Sequence, residues 1–252
     1  MPSPRYHVVA SATDPSAAQP DVTVVIPAYQ PGPALSALVE DLYATFADAE
    51  LTVEVVVVDD GSTPPLALDA DRRTTLLRGD NQGKGAALRA GFAHARAPLV
   101  GILDADGAYP AAVLLGLYRA IEHRTAPMAI ASRRPSRGFR GLASRAFAYW
   151  VRLVLGLRGD TQAGAKLFTS ELLADVAPYL TATGFAIDVD ILAVARARSW
   201  YAPARVAATP LSTGSTTLTP SRVATALIDV LRLRRIVSRV PPREHPRPAD
   251  RR

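Results

Sequence analysis

Val53-Glu54-Val55-Val56-Val57-Val58-Asp59-Asp60-Gly61-Ser62-Thr63 is the stretch that decides the fold. Its opening is almost all valine, a β-branched residue that is stiff in a helix and packs well on a pleated surface. The apolar run is too short for a helix and is continuous rather than alternating, as expected of a strand buried on both faces of a parallel sheet. The pattern recurs upstream in Val22-Thr23-Val24-Val25-Ile26-Pro27 and downstream in Pro98-Leu99-Val100-Gly101-Ile102-Leu103. Helical stretches over 33–48, 83–96 and 110–124 separate these runs. Strand alternating with helix predicts an α/β domain with a mostly parallel central sheet and helices on both faces.

Further along, the pattern predicts a strand over 127–131, helices over 142–156, 169–176 and 188–198, and a strand near 204–209. Thr219-Pro220 combines an N-cap residue with proline at the first helical position. The helix it starts, to about Val237, puts Val223, Leu227, Val230 and Leu231 on one face and Arg232, Arg235 and Arg239 along another. Phe147 to Leu155 is apolar with one arginine, which suits core packing before a lipid-facing role. Residues 1–20, rich in Pro, Ser and Ala, read as a flexible lead-in, 21–237 as one domain, and 238–252 as a basic disordered tail.

Composition narrows the chemistry. The chain has 252 residues, 48% of them hydrophobic, and no cysteine. That suits one α/β domain and excludes a disulfide framework, a zinc ribbon, iron–sulfur chemistry and a thiol nucleophile. No apolar run reaches the roughly eighteen residues of a membrane span, and the N-terminus lacks the apolar core of a secretory signal. A cytoplasmic protein, soluble or at the inner face of the plasma membrane, is expected. The net charge of +6 is a C-terminal feature: from Arg232 onward eight arginines face only Glu244 and Asp250. With no aromatic RNA motif and no zinc-finger spacing, nucleic acid is not the expected partner. The basic helix and tail suit an anionic membrane surface instead. His7, His94, His123 and His245 show no ligand spacing.

The informative residues stand at the carboxyl ends of the buried strands, where α/β sheets bind ligands. The first ends in Pro27-Ala28-Tyr29, the second in Asp59-Asp60-Gly61, the third in Asp104-Ala105-Asp106-Gly107. One aspartate after a strand is an ordinary turn residue. Asp-x-Asp after a strand can also aim two hard oxygen ligands at one Mg²⁺ or Mn²⁺, with phosphates completing the shell.

Taken in order, Val24-Val25-Ile26-Pro27-Ala28-Tyr29, Val57-Val58-Asp59-Asp60-Gly61-Ser62-Thr63, Asn81-Gln82-Gly83-Lys84-Gly85-Ala86-Ala87 and Leu103-Asp104-Ala105-Asp106-Gly107 resemble family-2 glycosyltransferases of the GT-A fold. Ala131-Ser132-Arg133, Asp160-Thr161-Gln162-Ala163-Gly164-Ala165-Lys166-Leu167-Phe168 and Gly184-Phe185-Ala186-Ile187-Asp188-Val189-Asp190 resemble the branch acting on dolichyl and other polyprenyl phosphates. The resemblance spans about 21 to 236 and implies roles residue by residue. Pro27, Ala28 and Tyr29 would line the base and ribose pocket, and Asp59 or Asp60 would bond the nucleobase or ribose. Asp104 and Asp106, with Ala105 between them, would bind the donor diphosphate through the divalent metal. Arg133 and Lys166 would meet acceptor or donor phosphate. Lys84 and Lys166, the two lysines of the chain, both fall in matched motifs. The implied donor is UDP-glucose or GDP-mannose and the implied acceptor a polyprenyl phosphate.

Departures from the family pattern are informative. Gln30-Pro31 stands where Asn-Glu is usual, Ala165 where phenylalanine is usual, and Gly214-Ser215-Thr216 where related sequences carry Gly-Ser-Lys, with Arg222 as a replacement charge. The membrane-spanning C-terminal extensions of some members are not expected here.

An inverting displacement needs the leaving diphosphate neutralised and the acceptor held in line. A phosphate acceptor is already ionised, whereas a glycan or small-molecule hydroxyl would need a base, for which Asp188 or Asp190 are the candidates. Two residues apart, only one of them is expected to face the site. A catalytically silent nucleotide-sugar binder would be expected to have a broken Asp-x-Asp, and here it is intact. Gly83-Lys84-Gly85 lacks the Ser or Thr of a P-loop, and no Gly-x-Gly-x-x-Gly follows the first strand.

Overall fold

The computed structural model describes residues 6–12, 18–68, 73–124, 126–133, 139–211 and 220–243, with side chains described for all of these but 139–143 and 220–224. In chain order the strands are β1 His7–Ser11, β2 Val22–Ala28, β3 Val53–Asp59, β4 Thr74–Arg78, β5 Leu99–Leu103, β6 Met128–Arg133, β7 Ala165–Thr169 and β8 Pro203–Ala208. The helices are α1 Ala34–Asp48, α2 Lys84–Phe92, α3 Ala111–Arg124, α4 Phe139–Leu155, α5 Ser170–Val176, α6 Ile187–Ala197 and α7 Pro220–Val237.

All eight strands join one sheet in the order β1-β4-β3-β2-β5-β7-β6-β8. The pairs β3–β4, β2–β3, β2–β5 and β6–β8 are parallel, while β1 and β7 run against their neighbours. The sheet is therefore mostly parallel, and its valine-rich strands are buried as their unbroken apolar runs require: every residue of β3 is buried.

Register shows which helix covers which face. Val24 lies beside Gly101 in the β2–β5 pair, and a side chain at Gly101 would meet Leu114 of α3. Val25, pointing the other way, meets Gly91 of α2. Helices α3 and α2 thus cover opposite faces. Helix α6 is buried at every position from Ile187 to Ala195, as a helix apolar nearly all round should be.

Five features depart from the sequence reading. The lead-in supplies a strand, because β1 pairs with β4 and covers what would otherwise be an open edge. Strands β4 and β7 are additions to the sequence pattern; Ala165-Lys166-Leu167-Phe168 carries a lysine at its centre and does not read as a buried strand. The start of the expected tail is held against the body: Arg243 stacks over Trp200, 4.0 Å from the ring centroid, and reaches Glu171 at 2.6 Å. On α7 it is Val230 and Leu233 that are buried, while Leu231 is exposed. Helix α4 is divided, with Val151 and Leu155 buried and Tyr149 and Leu153 exposed. Gly214-Ser215-Thr216, the side chains of Val223 and Arg222, and the tail from residue 244 lie outside the described residues.

Candidate active site

The carboxyl ends of β2, β3, β4, β5 and β6 lie along one edge of the sheet, and β7, running the other way, begins there. Ala28 is beside Asp59, Asp59 beside Arg78, and Leu103 beside Ala165. This edge carries nearly all of the site residues read from the sequence.

Asp59 and Asp60 are both buried and both occupied by the protein. Asp59 pairs with Arg78 and accepts from the amides of Ser62 at 2.8 Å and Leu66 at 3.2 Å, which shapes the loop after β3. Asp60 accepts from the amides of Gln82 and Gly83, each at 2.7 Å, and from the Tyr6 hydroxyl at 2.6 Å. Asp59 therefore orders 61–66 and Asp60 orders the turn into α2. Tyr6, from the lead-in, is a partner the sequence gave no sign of. At the end of the adjacent β2, Pro27 is half-buried, Ala28 buried and Tyr29 exposed. The amide of Gln30 donates to Ser62 Oγ at 2.9 Å, tying the loop after β2 to the loop after β3.

A second cluster is built on Asp104. Lys84, the first residue of α2, places its ammonium 2.8 Å from Asp104 Oδ1 and 2.7 Å from Asp188 Oδ2. The other oxygen of Asp188 accepts from Lys166 Nζ at 2.7 Å. The result is an alternating chain, Asp104–Lys84–Asp188–Lys166, from β5, α2, α6 and β7. Side-chain exposure falls along it from 32% at Asp104 to 12% at Lys84, 6% at Asp188 and 0% at Lys166. Two glycines allow the elements to close in. A side chain at Gly85 would collide with the backbone of Ala182, and one at Gly164 would collide with the carboxylate of Asp104. Gly85 N also donates to Thr183 O at 2.6 Å, seating α2 on the segment before α6.

The charges respond to this arrangement. Burial works against ionised Asp188, yet the ammonium groups of Lys166 and Lys84 hold its carboxyl down at about 2. Burial likewise opposes the Lys84 ammonium, and Asp188 and Asp104 together raise its pKa above the ordinary lysine value. Burial, aided by the nearby charge of Asp188, raises Asp104 against the pull of Lys84.

The two expected phosphate ligands, Lys166 and Arg133, are both engaged by the protein. Lys166 is fully buried, donating to Ala163 O and Asp188 beneath the site. Its strand is internal, with Ile102 on one side and Ile130 on the other, so it cannot meet a phosphate at the mouth. Arg133, at the end of β6, does reach the open edge, but its guanidinium is forked onto Asp160 at 2.7 and 3.2 Å. Asp160 stood in the quoted motif; nothing in its spacing marked it as that partner.

Asp190 does not join the cluster. It is fully buried, and its Oδ2 accepts from the amides of Thr181 and Ala182, both at 2.8 Å. It anchors the segment on which α2 rests. Burial, the largest influence, pushes its carboxyl above the ordinary range despite these bonds.

Asp106 is exposed, with Oδ1 accepting from Ala108 N at 2.9 Å, and the buried Ala105 separates it from Asp104. The donor set suits Mg²⁺ or Mn²⁺: two carboxylates two residues apart at an open strand end, Asp104 hemmed in by Gly164. Among the described residues no group of three or more His, Cys, Asp or Glu completes a metal shell. Hard cations of this kind are commonly held by one or two carboxylates plus phosphate oxygens and water.

Residues 23–192, from β2 into α6, match the family described as Glycosyl transferase family 2. A dolichyl-phosphate beta-glucosyltransferase of Trichomonas vaginalis is 29% identical over 205 residues, covering 70% of this chain and 60% of that protein. The chain spans about three fifths of the length of the curated relatives it matches. Mannosyl-3-phosphoglycerate synthase from Rubrobacter xylanophilus superposes with a TM-score of 0.67 at 20% identity, over 86% of this chain and 75% of its own. Glucosyl-3-phosphoglycerate synthase from Mycobacterium tuberculosis, solved with Mn²⁺, UDP-glucose and phosphoglyceric acid, gives 0.64 at 17% identity, over 88% and 81%. No described helix is long and apolar enough to cross a membrane. The match across the sheet edge and its motifs shows that this chain belongs to glycosyl transferase family 2, on the GT-A fold.

Proposed function

We propose that the chain transfers a hexose from a nucleoside-diphosphate sugar to a polyprenyl phosphate, with inversion, using Mg²⁺ or Mn²⁺ held by Asp104 and Asp106. The observation that carries the acceptor is the state of Asp188 and Asp190. A hydroxyl acceptor has to lose a proton to a positioned base. Asp188 is held between two ammonium groups with its carboxyl at about 2, and Asp190 is fully buried, with Oδ2 bound to two backbone amides. A phosphate monoester is ionised near neutral pH and needs neither. The relative named dolichyl-phosphate beta-glucosyltransferase supports the same acceptor class.

The residues then divide the work. The loops ordered by Asp59 and Asp60, with Pro27, Ala28 and Tyr29, form the recess for the nucleoside. When bound, the cation supplies Lewis-acid neutralisation of the leaving diphosphate. Lys84, an ammonium at the N-terminus of a helix, is placed to add charge on the same side. Arg133 is the cation at the acceptor side, and exchanging Asp160 for a phosphate would keep its fork filled. Between a UDP-glucose and a GDP-mannose donor, the solved structure holding UDP-glucose and the glucosyltransferase relatives favour the former. The exposed Tyr149 and Leu153 and the arginines from Arg232 onward suit peripheral contact with an anionic membrane at its cytoplasmic face, bringing the lipid to residues 21–237.

The test is transfer of labelled sugar. UDP-glucose or GDP-mannose is incubated with Mg²⁺ or Mn²⁺ and a short polyprenyl phosphate. Label entering the organic phase from UDP-glucose, and abolished by EDTA, is the expected result. Binding of nucleotide without any lipid product overturns the acceptor assignment.

A further inference from the structure

Lys84 is unusual among the charged groups of the site in serving two carboxylates at once, one of them a proposed metal ligand. Its ammonium lies 2.8 Å from Asp104 Oδ1 and 2.7 Å from Asp188 Oδ2. Asp188 is itself fixed from behind by the fully buried Lys166. Lys84 therefore cannot drift away from the site: it is tethered at Asp188 and shared with Asp104.

A divalent cation approaching Asp104 without nucleotide meets an ammonium already on that carboxylate. At separations of a few ångströms, in a partly desolvated site, like charges repel strongly. The protein also offers little compensation, since among the described residues no third acidic or imidazole ligand completes a shell. A diphosphate changes both terms. Its oxygens can complete the metal shell and can also accept from Lys84, which an ammonium with three donors is able to satisfy while staying on Asp188.

The geometry points to Lys84 as an internal counter-cation that holds Asp104 until the nucleotide diphosphate arrives, so that metal and nucleotide bind as mutually dependent ligands. This rests on the reading of Asp104 as a metal ligand. Linkage then requires that nucleotide strengthen metal binding by the same factor as metal strengthens nucleotide binding. Asp188 and Lys166 act as positioning residues for Lys84, Lys166 through Asp188.

The experiment titrates Mn²⁺ into the full chain with and without UDP, reading free Mn²⁺ by electron paramagnetic resonance and checking folding by thermal melting. In the wild type, UDP should tighten Mn²⁺ binding at least tenfold. Lys84→Met should bind Mn²⁺ alone roughly tenfold more tightly than wild type, because the competing charge is gone, and its UDP coupling should shrink. Asp188→Asn should act in the opposite direction, weakening Mn²⁺ binding alone, because Lys84 is then drawn wholly to Asp104. Mn²⁺ affinity in the absence of UDP that is unchanged or weaker in Lys84→Met overturns the proposal. If Lys84→Met does not fold, tighter or unchanged Mn²⁺ binding in Asp188→Asn overturns it. Mn²⁺ binding with UDP that is lost in Asp104→Asn supports the metal site whichever way the Lys84 result falls. No Mn²⁺ binding to the wild type under either condition removes the metal site and the counter-cation together. Neither readout depends on the acceptor, so failure of the lipid-phosphate assignment leaves the inference standing.

Discussion

The acidic turns after β3 and β5 look alike in sequence, each a carboxylate pair closing a buried apolar run, and the folded chain uses them differently. Asp59 and Asp60 are turned inward, and their oxygens are taken by Arg78, Tyr6 and four backbone amides. Asp104 and Asp106 keep access to solvent, and the side-chain partner of Asp104 is the ammonium of Lys84. The first pair shapes the loops proposed to hold the nucleoside; the second stays open, as the proposed metal site requires. Burial and the identity of the donors distinguish them, since backbone amides are permanent partners and an ammonium on a flexible stem can change partners.

Substitutions can break this contrast. The largest effect is expected at the open pair: Asp106→Ala should lower transfer about 10³-fold, as befits losing several kcal/mol of charge stabilisation. Being exposed, it should leave the melting temperature nearly unchanged, and a large drop in stability would refute the division of roles. Next comes the base of the charge chain. Lys166→Met leaves Asp188 without its innermost partner and should destabilise by about 3–5 kcal/mol, read as a fall of roughly 10 °C in melting temperature. Lys166→Arg, keeping the charge but not the shape, should recover part of it.

Asp60→Ala should cost about 2–3 kcal/mol, since the amides of Gln82 and Gly83 lose their acceptor, and should weaken UDP binding by disordering the turn into α2. Denaturant unfolding and UDP titration check the two effects separately. Smaller still is the acid dependence of Asp188. Its folded carboxyl lies at about 2 against an ordinary 3.8, so its contribution is complete above about pH 4 and is lost as pH falls toward 2. Asp188→Asn should flatten that acid limb of the melting-temperature profile, and an unchanged limb would show that other groups set it.

Most of the parallel sheet was legible because its strands are continuous β-branched runs with acidic ends, as in Val53–Asp59. What escaped had weaker local signals. Strand β1 lies in a stretch rich in small residues and is specified by the neighbour it covers rather than by its own pattern. Strand β7 is masked by Lys166, whose burial makes sense only once Asp188 arrives from α6, 22 residues away in sequence. The same holds in the site. Motif order brought Asp104, Asp106, Lys84 and Asp188 to one edge on paper. That Lys166 is buried against Asp188, that Arg133 is held by Asp160, and that Asp190 anchors the segment before α6 are pairings that no spacing rule reports.

The most direct measurement sets two acceptors side by side: a short polyprenyl phosphate and the matching polyprenol, with the same labelled donor and metal. If Asp188 and Asp190 are both committed as their partners indicate, only the phosphate takes up label. Equal or greater transfer to the alcohol would mean that a base operates in this site, and would contradict the account.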